Sequence, residues 1–542
     1  MDLNKAAADW LAQDPDPTTK SELQALIAEG NQAELADRFS RSLEFGTAGL
    51  RGELGAGPNR MNRIVVARAA AAIGQYLIDS GDTYTDGNGE LSVVIGFDAR
   101  VNSDVFAKDS AEIFAGLGLK VFLFDKCVPT PVTAFTGKRL TASASIMVTA
   151  SHNPPRDNGY KVYLGGPNGH SQLVSPADHL IAEYIQKFSQ THSFEDFEKS
   201  SNYQLIGEHE IALYQARAME LAQKKDSDLK ICYTALHGVG WAVVRPILEG
   251  LGFKNVVTVN EQIEPDGSFP TVTFPNPEEK GAMDLAYEVA TKNQAEVIIA
   301  NDPDADRLAV AIPDSGKWRM LTGDEIGLIL GEEVAKAGTS GNLANSIVSS
   351  DLLGKVAEHY RLGYVQTLTG FKWISKTKDL RYGYEEALGY CVDPDNTPDK
   401  DGITAAVKIL NLARELKEKN SSIAEHLETL SERYGFVKTG QISIRVQDLG
   451  IIRKIMSGLR ELEPKSLGSW AVSFEDLQSG KELPSTDGVI LSNSEVRVII
   501  RPSGTEPKLK CYLLARGDSA FEASQALSTL ESNAQDLLSA LQ

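Results

Sequence analysis

The sequence predicts an α/β protein with three similar α/β domains and a smaller α+β domain at its C-terminus. The 542 residues are too many for a single hydrophobic core, so roughly three to four domains are expected. Three separate segments repeat one order of elements, and the C-terminal part follows another. These two patterns decide the fold class.

Each of the three segments contains an apolar strand, a loop, a helix, a Leu-Gly step and a second apolar strand. A glycine after a helix ends the helix and lets the chain turn into a parallel strand. The Leu-Gly steps lie at residues 117–118, 251–252 and 362–363, and these separations suit whole domains rather than solenoid repeats. The first strands are predicted in VVIGFD from Val93, KICYTALHG from Lys230 and SIVSSDLLG from Ser346.

The C-terminal part alternates apolar and polar residues in QISIRV, GVILS, EVRVIIRP and KLKCYLLARG. Alternation with a period of two predicts antiparallel strands, and a last helix is predicted from Ala520 to Leu541. The changes of pattern predict domains at residues 1–205, 206–320, 321–437 and 438–542.

The composition indicates a soluble globular protein, because 42% of the residues are apolar and no apolar run nears the ~20 residues of a membrane-spanning helix. The N-terminus lacks the basic start and apolar stretch of a secretory signal, so the cytoplasm is expected. A formal charge of −20 disfavours nucleic acids and membranes as partners. Reduced thiols are expected, because the cysteines are too dispersed for a zinc motif or a disulfide framework: Cys127, Cys232, Cys391 and Cys511.

Three aspartates, Asp302, Asp304 and Asp306, follow the predicted buried strand AEVIIA in the motif NDPDADR. Ligands of α/β proteins usually bind at this end of a strand. Carboxylates at every second position of an extended loop can turn toward one point, and three hard oxygen donors favour Mg²⁺. An EF-hand is excluded, because its glycine position is Arg307 and its twelfth position is Pro313.

Two other interpretations of this loop stay open. It could be a solvated acidic turn. It could also belong to a Mg²⁺-dependent sugar phosphatase of the haloacid dehalogenase type, with Asp302 as the covalent phosphate acceptor. Asp306 then stands where such enzymes usually have threonine or valine, so the spacing favours the cation site.

The stretch RPSGTEPKLKCY combines an arginine, two hydroxyls, a glycine and two lysines, namely Arg501, Ser503, Gly504, Thr505, Lys508 and Lys510. Glycine lets backbone N–H groups approach a ligand, and an arginine can grip phosphate oxygens with two hydrogen bonds. This pattern predicts a phosphate-binding loop, although an ordinary turn between strands is as frequent. A Walker A motif is absent from the sequence, so a kinase of that class is not supported.

The stretch VTASHNPP places Ser151 in a loop after the predicted strand SIMVTA. The two prolines restrict this loop, and Asn158-Gly159 is predicted to form the turn that brings Lys161 back toward Ser151. A serine near cations and a metal suits phosphoryl transfer. A lone serine in a turn is far more often a cap, so the serine alone decides nothing.

Together and in this order, the motifs resemble the α-D-phosphohexomutase family, which includes phosphoglucomutases and phosphomannomutases. The resemblance runs from EFGTAGLRG at Glu44 to RPSGTEPKLKCY. It implies four domains around a central cleft, three similar α/β domains with mixed sheets and a smaller C-terminal α+β domain. It also implies a monomeric or homodimeric enzyme that interconverts the 1-phosphate and 6-phosphate of glucose or mannose. Mg²⁺, a phosphoserine and a sugar 1,6-bisphosphate intermediate are implied for the reaction.

The resemblance also implies roles for single residues. Ser151 would be the phosphoserine and would complete a Mg²⁺ shell with Asp302, Asp304 and Asp306. Arg51 and Lys161 would help move protons, and His152 would lie in the same active loop. The residues implied to bind substrate are Arg307, Thr369, Gly370, Lys372, Glu385, Arg501, Ser503, Gly504, Thr505 and Lys510.

One position departs from the family pattern. Many relatives have serine two residues after the sugar-binding glutamate, whereas this chain has Ala387. The missing hydroxyl removes a hydrogen bond to the sugar, so the hexose preference of the family is not carried over. A phosphopentomutase acting on ribose or deoxyribose phosphates is an alternative, and Ala387 does not decide between the two. A non-catalytic sugar-phosphate sensor has little support. Several polar residues keep no assigned function, namely Asp98, Asn102, His237, Asp395, Lys400 and Asp401.

Overall fold

The structure is a computed structural model that describes residues 2–47, 49–338, 340–446, 448–480, 483–503 and 508–542. It divides into two compact units. Unit 1 holds Met1–Met320 and Gly389–Glu415, and unit 2 holds Leu321–Leu388 and Leu416–Gln542. Across these described ranges, no helix has the length and apolar character needed to cross a membrane.

Three short helices open unit 1: α1 Leu3–Gln13, α2 Pro17–Ala28 and α3 Gln32–Phe39. Each begins after an aspartate or asparagine whose side chain accepts a hydrogen bond from a backbone N–H of the first turn. Trp10 of α1 packs edge-on against Phe39 of α3, with ring centroids 6.1 Å apart. The helices thereby join the core of the first α/β domain.

The first α/β domain contains β1 Leu50–Glu53, α4 Arg63–Asp79, β2 Ser92–Phe97, α5 Ser103–Gly116, β3 Lys120–Phe124, α6 Thr130–Arg139, β4 Ala144–Val148, β5 Asp157–Leu164, β6 Ser171–Gln172, α7 Ala177–Thr191 and β7 Gln204–Ile206. The strand order is β1-β5-β4-β2-β3-β7, and β6 pairs with β5. β2 runs parallel to β3 and β4, whereas β5 is antiparallel to β4 and β1. The carboxyl ends of β2 and β4 are therefore neighbours.

The second α/β domain contains α8 Glu208–Glu220, β8 Ser227–Thr234, α9 Trp241–Gly250, β9 Phe253–Thr258, α10 Asp284–Lys292, β10 Val297–Asn301, β11 Leu308–Asp314 and β12 Lys317–Met320. The strand order is β12-β11-β10-β8-β9, with β10 parallel to β8 and antiparallel to β11. Every residue of β10 is buried, which explains its apolar sequence. The loop that carries the three aspartates joins β10 to β11.

The third domain begins unit 2 with α11 Gly323–Lys336, β13 Asn342–Ser346, α12 Leu352–Tyr360, β14 Gly363–Thr367, α13 Phe371–Ile374 and β15 Leu380–Glu385. β13 pairs in parallel with both β14 and β15. The strand predicted from Ser346 is wrong in its position, because β13 ends at Ser346. Ser350 instead accepts a hydrogen bond from the N–H of Leu352 at 3.3 Å, so the SSD segment starts α12.

Along the chain, β16 Gly389–Cys391, α14 Gly402–Glu418 and α15 Ile423–Tyr434 follow. The C-terminal domain then contains β17 Phe436–Arg445, α16 Leu449–Leu462, β18 Ser466–Leu467, β19 Trp470–Ala471, β20 Ser473–Asp476, β21 Val489–Ser492, β22 Val496–Pro502, β23 Lys508–Gly517 and α17 Ala520–Leu541. Its sheet has the order β17-β23-β22-β21-β20 and is antiparallel throughout. The predicted fold class is confirmed, and α17 has the predicted bounds. The predicted domain boundaries stay a prediction.

Candidate active site

Ser151 is a buried residue in the otherwise half-buried loop after β4, and it has an unusual backbone conformation. Its φ angle is 52°, in the left-handed region that costs a residue with a side chain roughly 1–2 kcal/mol. The residue is 2% exposed, and its N–H donates to Thr149 Oγ1 at 2.8 Å. Its hydroxyl donates to Asp302 Oδ2 at 2.9 Å. The predicted nucleophile and the first predicted metal ligand are therefore in direct contact.

The chain returns from Ser151 in a way that the sequence did not predict. Asn158 and Gly159 do not form a turn, since both lie within β5. The side-chain amide of Asn158 donates to Val101 O at 2.9 Å, and Gly159 pairs with Arg51 of β1. A Cβ on residue 159 would lie 2.5 Å from Thr149 O, so glycine lets the backbones approach closely. The reversal occurs within residues 151–156 instead.

The three aspartates after β10 converge as predicted. Asp302, Asp304 and Asp306 are each at most 1% exposed, and one oxygen from each lies within 4.8 Å of the others. Among the described residues, Asp304 Oδ1 and Asp306 Oδ1 are buried and accept no hydrogen bond. Buried carboxylate oxygens normally need a partner. The donor set therefore fits a hard divalent cation such as Mg²⁺.

The charge balance of this cluster depends on neighbouring cations. Burial, with the charges of Asp304 and Asp306, raises the pKa of Asp302 well above its ordinary value. Burial would also raise the pKa of Asp306, but Lys161, Lys400 and Arg307 outweigh it and lower this pKa. The carboxylates thus compete for positive charge, which a bound cation would supply.

Lys161 on β5 reaches the aspartate cluster. Its Nζ donates to Asp304 Oδ2 and to Asp306 Oδ2, both at 2.6 Å. Burial would lower the pKa of Lys161, but these two carboxylates outweigh burial and raise it. Lys161 is therefore a protonated cation fixed beside two of the predicted metal ligands.

The other three predicted residues of unit 1 lie around the same loop. Arg51 donates to Asn153 Oδ1 at 3.3 Å, and Arg307 Nε lies 3.9 Å from Asp306 Oδ1. His152 Nδ1 is 3.2 Å from the Ser151 hydroxyl oxygen. Burial, followed by the charges of Arg307 and Arg51, holds the pKa of His152 well below its ordinary value. The imidazole is therefore neutral.

Sequence reasoning missed two residues of this region, Thr130 and Arg100, and left Lys400 without a role. Thr130, at the start of α6, donates its hydroxyl to Asp304 Oδ2 and its N–H to Asp304 O. Lys400 Nζ lies 3.4 Å from Asp306 Oδ2. Arg100, after β2, donates to the carbonyl of Ser151 at 2.6 Å. One signal was available, because Asp98 and Arg100 follow a strand parallel to β4 and so lie at its carboxyl end.

Two unassigned polar residues have structural roles. Asp401 accepts hydrogen bonds from Tyr214 at 2.8 Å and from the N–H of Thr404 at 2.9 Å, and so caps the start of α14. His237 is 2% exposed and bonds through Nε2 to Thr271 Oγ1 at 2.8 Å. These are the turn and core roles expected of such residues.

In unit 2, the predicted sugar-binding residues lie at or after the carboxyl ends of two parallel strands, β14 and β15. Thr369, Gly370 and Lys372 lie after β14, and Glu385 ends β15. β13 lies between these two strands, so all four residues lie at the same edge of the sheet. All four are half-buried, which leaves them accessible to a ligand.

The predicted phosphate loop joins β22 to β23 in unit 2. Arg501 and Lys510 are directly paired across these strands, and the N–H of Ser503 donates to Lys508 O at 2.8 Å. Two cationic side chains thus stand at the base of the loop. Gly504 and Thr505 lie outside the described residues.

The sugar-binding and phosphate-binding segments of unit 2 are linked. Glu386 Oε2 accepts hydrogen bonds from Ser346 at 2.9 Å and Ser349 at 3.1 Å, and Arg497 of β22 donates to the carbonyl of Ser349. Burial, then the charge of Glu386, raises the pKa of Tyr512, while Arg501 opposes this. The segment after β15 therefore lies close to the base of the predicted phosphate loop.

Models of four protein domains match this chain in order. The descriptions are phosphoglucomutase/phosphomannomutase alpha/beta/alpha domain I at residues 42–191, domain II at 212–316, domain III at 322–434 and the C-terminal domain at 471–527. Together they span most of the chain, and the site residues of both units fall within or beside them.

Curated relatives match over nearly the whole length. The "Probable phosphomannomutase" of Haemophilus influenzae is 44% identical over 88% of this chain and 98% of its own. The phosphopentomutase of Homo sapiens is 34% identical over 94% of this chain and 91% of its own. A phosphoglucomutase from Paramecium (pp63/parafusin, open form) has a similar fold, with a TM-score of 0.70, 16% identity and coverage of 92% and 96% of the two chains.

Proposed function

Because this chain belongs to the phosphoglucomutase/phosphomannomutase family, we propose that the enzyme moves a phosphoryl group between two hydroxyls of a sugar phosphate, with Ser151 as the carrier. The observation that carries this proposal is the 2.9 Å bond between Ser151 Oγ and Asp302 Oδ2. A capping serine would bond to a nearby backbone N–H. Here the hydroxyl instead bonds to one of three converging buried carboxylates, and Lys161 bonds to the other two, which suits a reacting group.

Mg²⁺ is the proposed metal. Asp302, Asp304, Asp306 and an oxygen on Ser151 would hold it, since two buried aspartate oxygens accept no hydrogen bond from the described residues. When bound, the ion supplies positive charge to phosphoryl oxygens. Lys161 and Thr130 orient Asp304 toward this position.

The proposed reaction has two transfers. In the first, the P–O bond to Ser151 breaks, and the phosphorus bonds to the free hydroxyl of a sugar monophosphate. The proton that this hydroxyl loses ends, in net, on the Ser151 oxygen. The resulting sugar bisphosphate reverses its orientation, so that its other phosphoryl group faces Ser151 and is transferred to it. The net result is isomerisation, and the bisphosphate, such as a sugar 1,6-bisphosphate, can also load Ser151 at the start.

The residues of unit 1 have separate proposed roles in these transfers. Lys161 is a fixed cation, so it stabilises negative charge and can donate a proton to the departing Ser151 oxygen. The neutral His152 can exchange a proton with the same oxygen across 3.2 Å. Arg51 and Arg307 supply further positive charge where phosphoryl oxygens would lie.

Unit 2 is proposed to bind the part of the substrate that does not react. Thr369, Gly370, Lys372 and Glu385 would contact the sugar hydroxyls. The other phosphate would be held by the loop residues Arg501, Ser503, Gly504, Thr505 and Lys510. A bisphosphate that reacts at either end needs two phosphate sites, one where the phosphoryl group is transferred and one that only binds phosphate. The paired cations Arg501 and Lys510 support the second site.

Hexose phosphates, those of glucose or mannose, are the first proposed substrates. Pentose phosphates are the second candidate, because Ala387 lacks the hydroxyl that many relatives offer to a hexose and so does not decide between the two sugar types. The relatives named phosphopentomutase also match over more than nine-tenths of this chain. A coupled assay with the 1-phosphates of glucose, mannose, ribose and deoxyribose decides between them by kcat/KM.

The carrier role is tested by peptide mass mapping after incubation with glucose 1,6-bisphosphate. We expect phosphate on the peptide that contains Ser151 and its loss when a sugar monophosphate is added. Phosphate on Asp302, with steady release of inorganic phosphate, would favour a phosphatase. An unmodified Ser151 peptide in an enzyme with mutase activity would overturn the proposal.

A further inference from the structure

Arg100 holds the Ser151 loop through backbone carbonyls. Arg100 is 3% exposed and donates four hydrogen bonds to backbone carbonyls of this loop. Its Nη2 donates to Ser151 O and Asn153 O, both at 2.6 Å. Its Nη1 donates to Pro154 O at 2.8 Å and Asp157 O at 2.9 Å. One guanidinium group thus spans the loop from the serine to the first residue of β5.

Arg100 is itself fixed by both α/β domains of unit 1. Asp98 Oδ2 lies 3.5 Å from its Nε, and Asp98 Oδ1 accepts a hydrogen bond from its N–H at 3.0 Å. Phe269, from the second domain, covers the guanidinium group at 4.9 Å. The preceding turn packs tightly here, because a Cβ on Gly267 would lie 2.5 Å from Ala99 O.

The Ser151 loop lacks two backbone hydrogen-bond donors and contains a strained residue, so it needs a side chain that donates to its carbonyls. Prolines at 154 and 155 remove two backbone donors, and Ser151 adopts a left-handed conformation that costs free energy. Ser151 and the Arg100 side chain are buried, so the polar groups of both need partners, and Arg100 donates to the carbonyls of four residues of this half-buried loop. A planar guanidinium fork can bond to several carbonyls at fixed angles, which a lysine ammonium cannot reproduce.

We propose that Arg100 is a positioning residue for phosphoryl transfer, an inference that rests on the proposed role of Ser151 as the carrier. By holding the Ser151 carbonyl, it fixes the direction in which the phosphorylated side chain faces the acceptor hydroxyl. A small displacement of reacting atoms is costly to the transfer step. Loss of the fork therefore slows transfer while the substrate contacts stay in place.

Unit 1 offers a matched control in Arg414 of α14. Arg414 is 2% exposed, and its guanidinium group lies 5.0 Å from the Phe253 ring. It also donates to three backbone carbonyls, those of Gln223, Lys225 and Leu251, at 2.7, 2.8 and 3.2 Å. These carbonyls belong to connections beside β8 and β9, away from the Ser151 loop. Both arginines are buried, donate hydrogen bonds to backbone carbonyls and contact a phenylalanine ring. They differ in the segment whose carbonyls they bind.

The experiment compares Arg100→Lys with Arg414→Lys in the full chain. Thermal unfolding measures the structural cost, and a coupled assay measures kcat and KM on the sugar 1-phosphate that the wild type prefers. We expect R100K to lower kcat by about 100-fold with KM changed less than about threefold. Release of inorganic phosphate per turnover should rise, since a misplaced phosphoserine loses its group to water. R414K should keep kcat within about threefold at a similar loss of thermal stability.

A rescue experiment separates positioning from general destabilisation. Guanidinium chloride at non-denaturing concentration should raise kcat of Arg100→Ala several-fold and leave that of Arg414→Ala unchanged. If R100A does not fold, Phe269→Leu keeps the guanidinium group and removes the ring above it. A kcat lowered about tenfold at constant KM then supports the inference, and an unchanged kcat contradicts it.

Two failures can be told apart. If wild-type Ser151 takes up no phosphate from glucose 1,6-bisphosphate, the carrier role fails and the positioning role fails with it. If wild-type Ser151 is phosphorylated and R100K matches R414K in kcat, only the positioning role is overturned.

Discussion

The two units hold their candidate site residues in different ways. In unit 1, Ser151, Lys161 and the three aspartates are at most 6% exposed, and charged atoms bond directly to one another. In unit 2, Thr369, Lys372, Glu385 and Arg501 are half-buried, on strands or on the segments that follow them. Buried, mutually oriented charges suit phosphoryl transfer, because their interactions strengthen away from water. Half-exposed groups suit a ligand that must bind in two orientations.

The largest expected effect comes from removing the carrier in unit 1. Ser151→Ala should lower turnover by at least about 10⁴-fold, because no other group can hold the phosphoryl. Sugar phosphate binding, measured by titration calorimetry, should change only a few-fold, since recognition is assigned to unit 2. Ser145→Ala, at another buried serine on β4, is the control and should keep turnover. Residual mutase activity in S151A would contradict the comparison.

The next effect concerns the charge cluster of unit 1. Asp304→Asn removes one carboxylate from the predicted metal set and one partner of Lys161. We expect kcat to fall about 10²–10³-fold and the Mg²⁺ concentration for half-maximal activity to rise. A chelator should abolish wild-type turnover, and added Mg²⁺ should restore it. Asp314→Asn alters an exposed aspartate of β11 and should behave like wild type.

A third prediction compares how the units stabilise a buried carboxylate. Glu332 in unit 2 accepts a hydrogen bond from Arg433 at 2.7 Å, whereas the hydrogen bonds that Asp401 accepts in unit 1 come from Tyr214 and backbone N–H groups. Burial raises the pKa of Asp401 from 3.8 to about 6. The folded state thus binds this proton more tightly than the unfolded chain does. Its contribution to stability is complete below pH ~4 and is lost as the pH rises through ~6.

Asp401→Asn removes this titratable group and so tests how much it contributes to the pH dependence of the free energy of unfolding. The shift corresponds to about 3 kcal/mol, so wild type should lose up to that much stability relative to D401N between pH 4 and 7. Denaturant unfolding of both proteins, followed in parallel across this range, measures the difference. Parallel stability curves for the two proteins would show that the pKa of Asp401 is ordinary.

The sequence predicted the parts of unit 1 that are local in the chain. Ser151 and the three aspartates follow strands that the apolar runs of the sequence predict, so both loops were recognisable as candidate site segments. Arg100 and Thr130 were missed, and Lys400 was left without a role, because their partners lie far away along the chain. Their roles arise only when the sheets bring separate loops together.

The errors have the same physical origin. Asn158-Gly159 has the composition of a turn, but pairing with β1 and the bonds of Asn158 keep it in β5. Ser346 to Gly354 contains apolar residues typical of a strand, but its serines and Asp351 start a helix. Local preference was overruled by neighbours that a single sequence does not reveal.

The smallest expected effect concerns recognition in unit 2. Glu385→Gln keeps the shape of the side chain but removes its charge, so hydrogen bonds to sugar hydroxyls should weaken. We expect KM to rise about tenfold, equivalent to ~1.4 kcal/mol, with kcat lowered less. Glu358→Gln, at an exposed glutamate of α12, is the control for charge alone. If E385Q instead lowers kcat as strongly as Asp304→Asn at constant KM, Glu385 acts on the transfer itself, and the division between a reacting unit and a recognising unit is wrong.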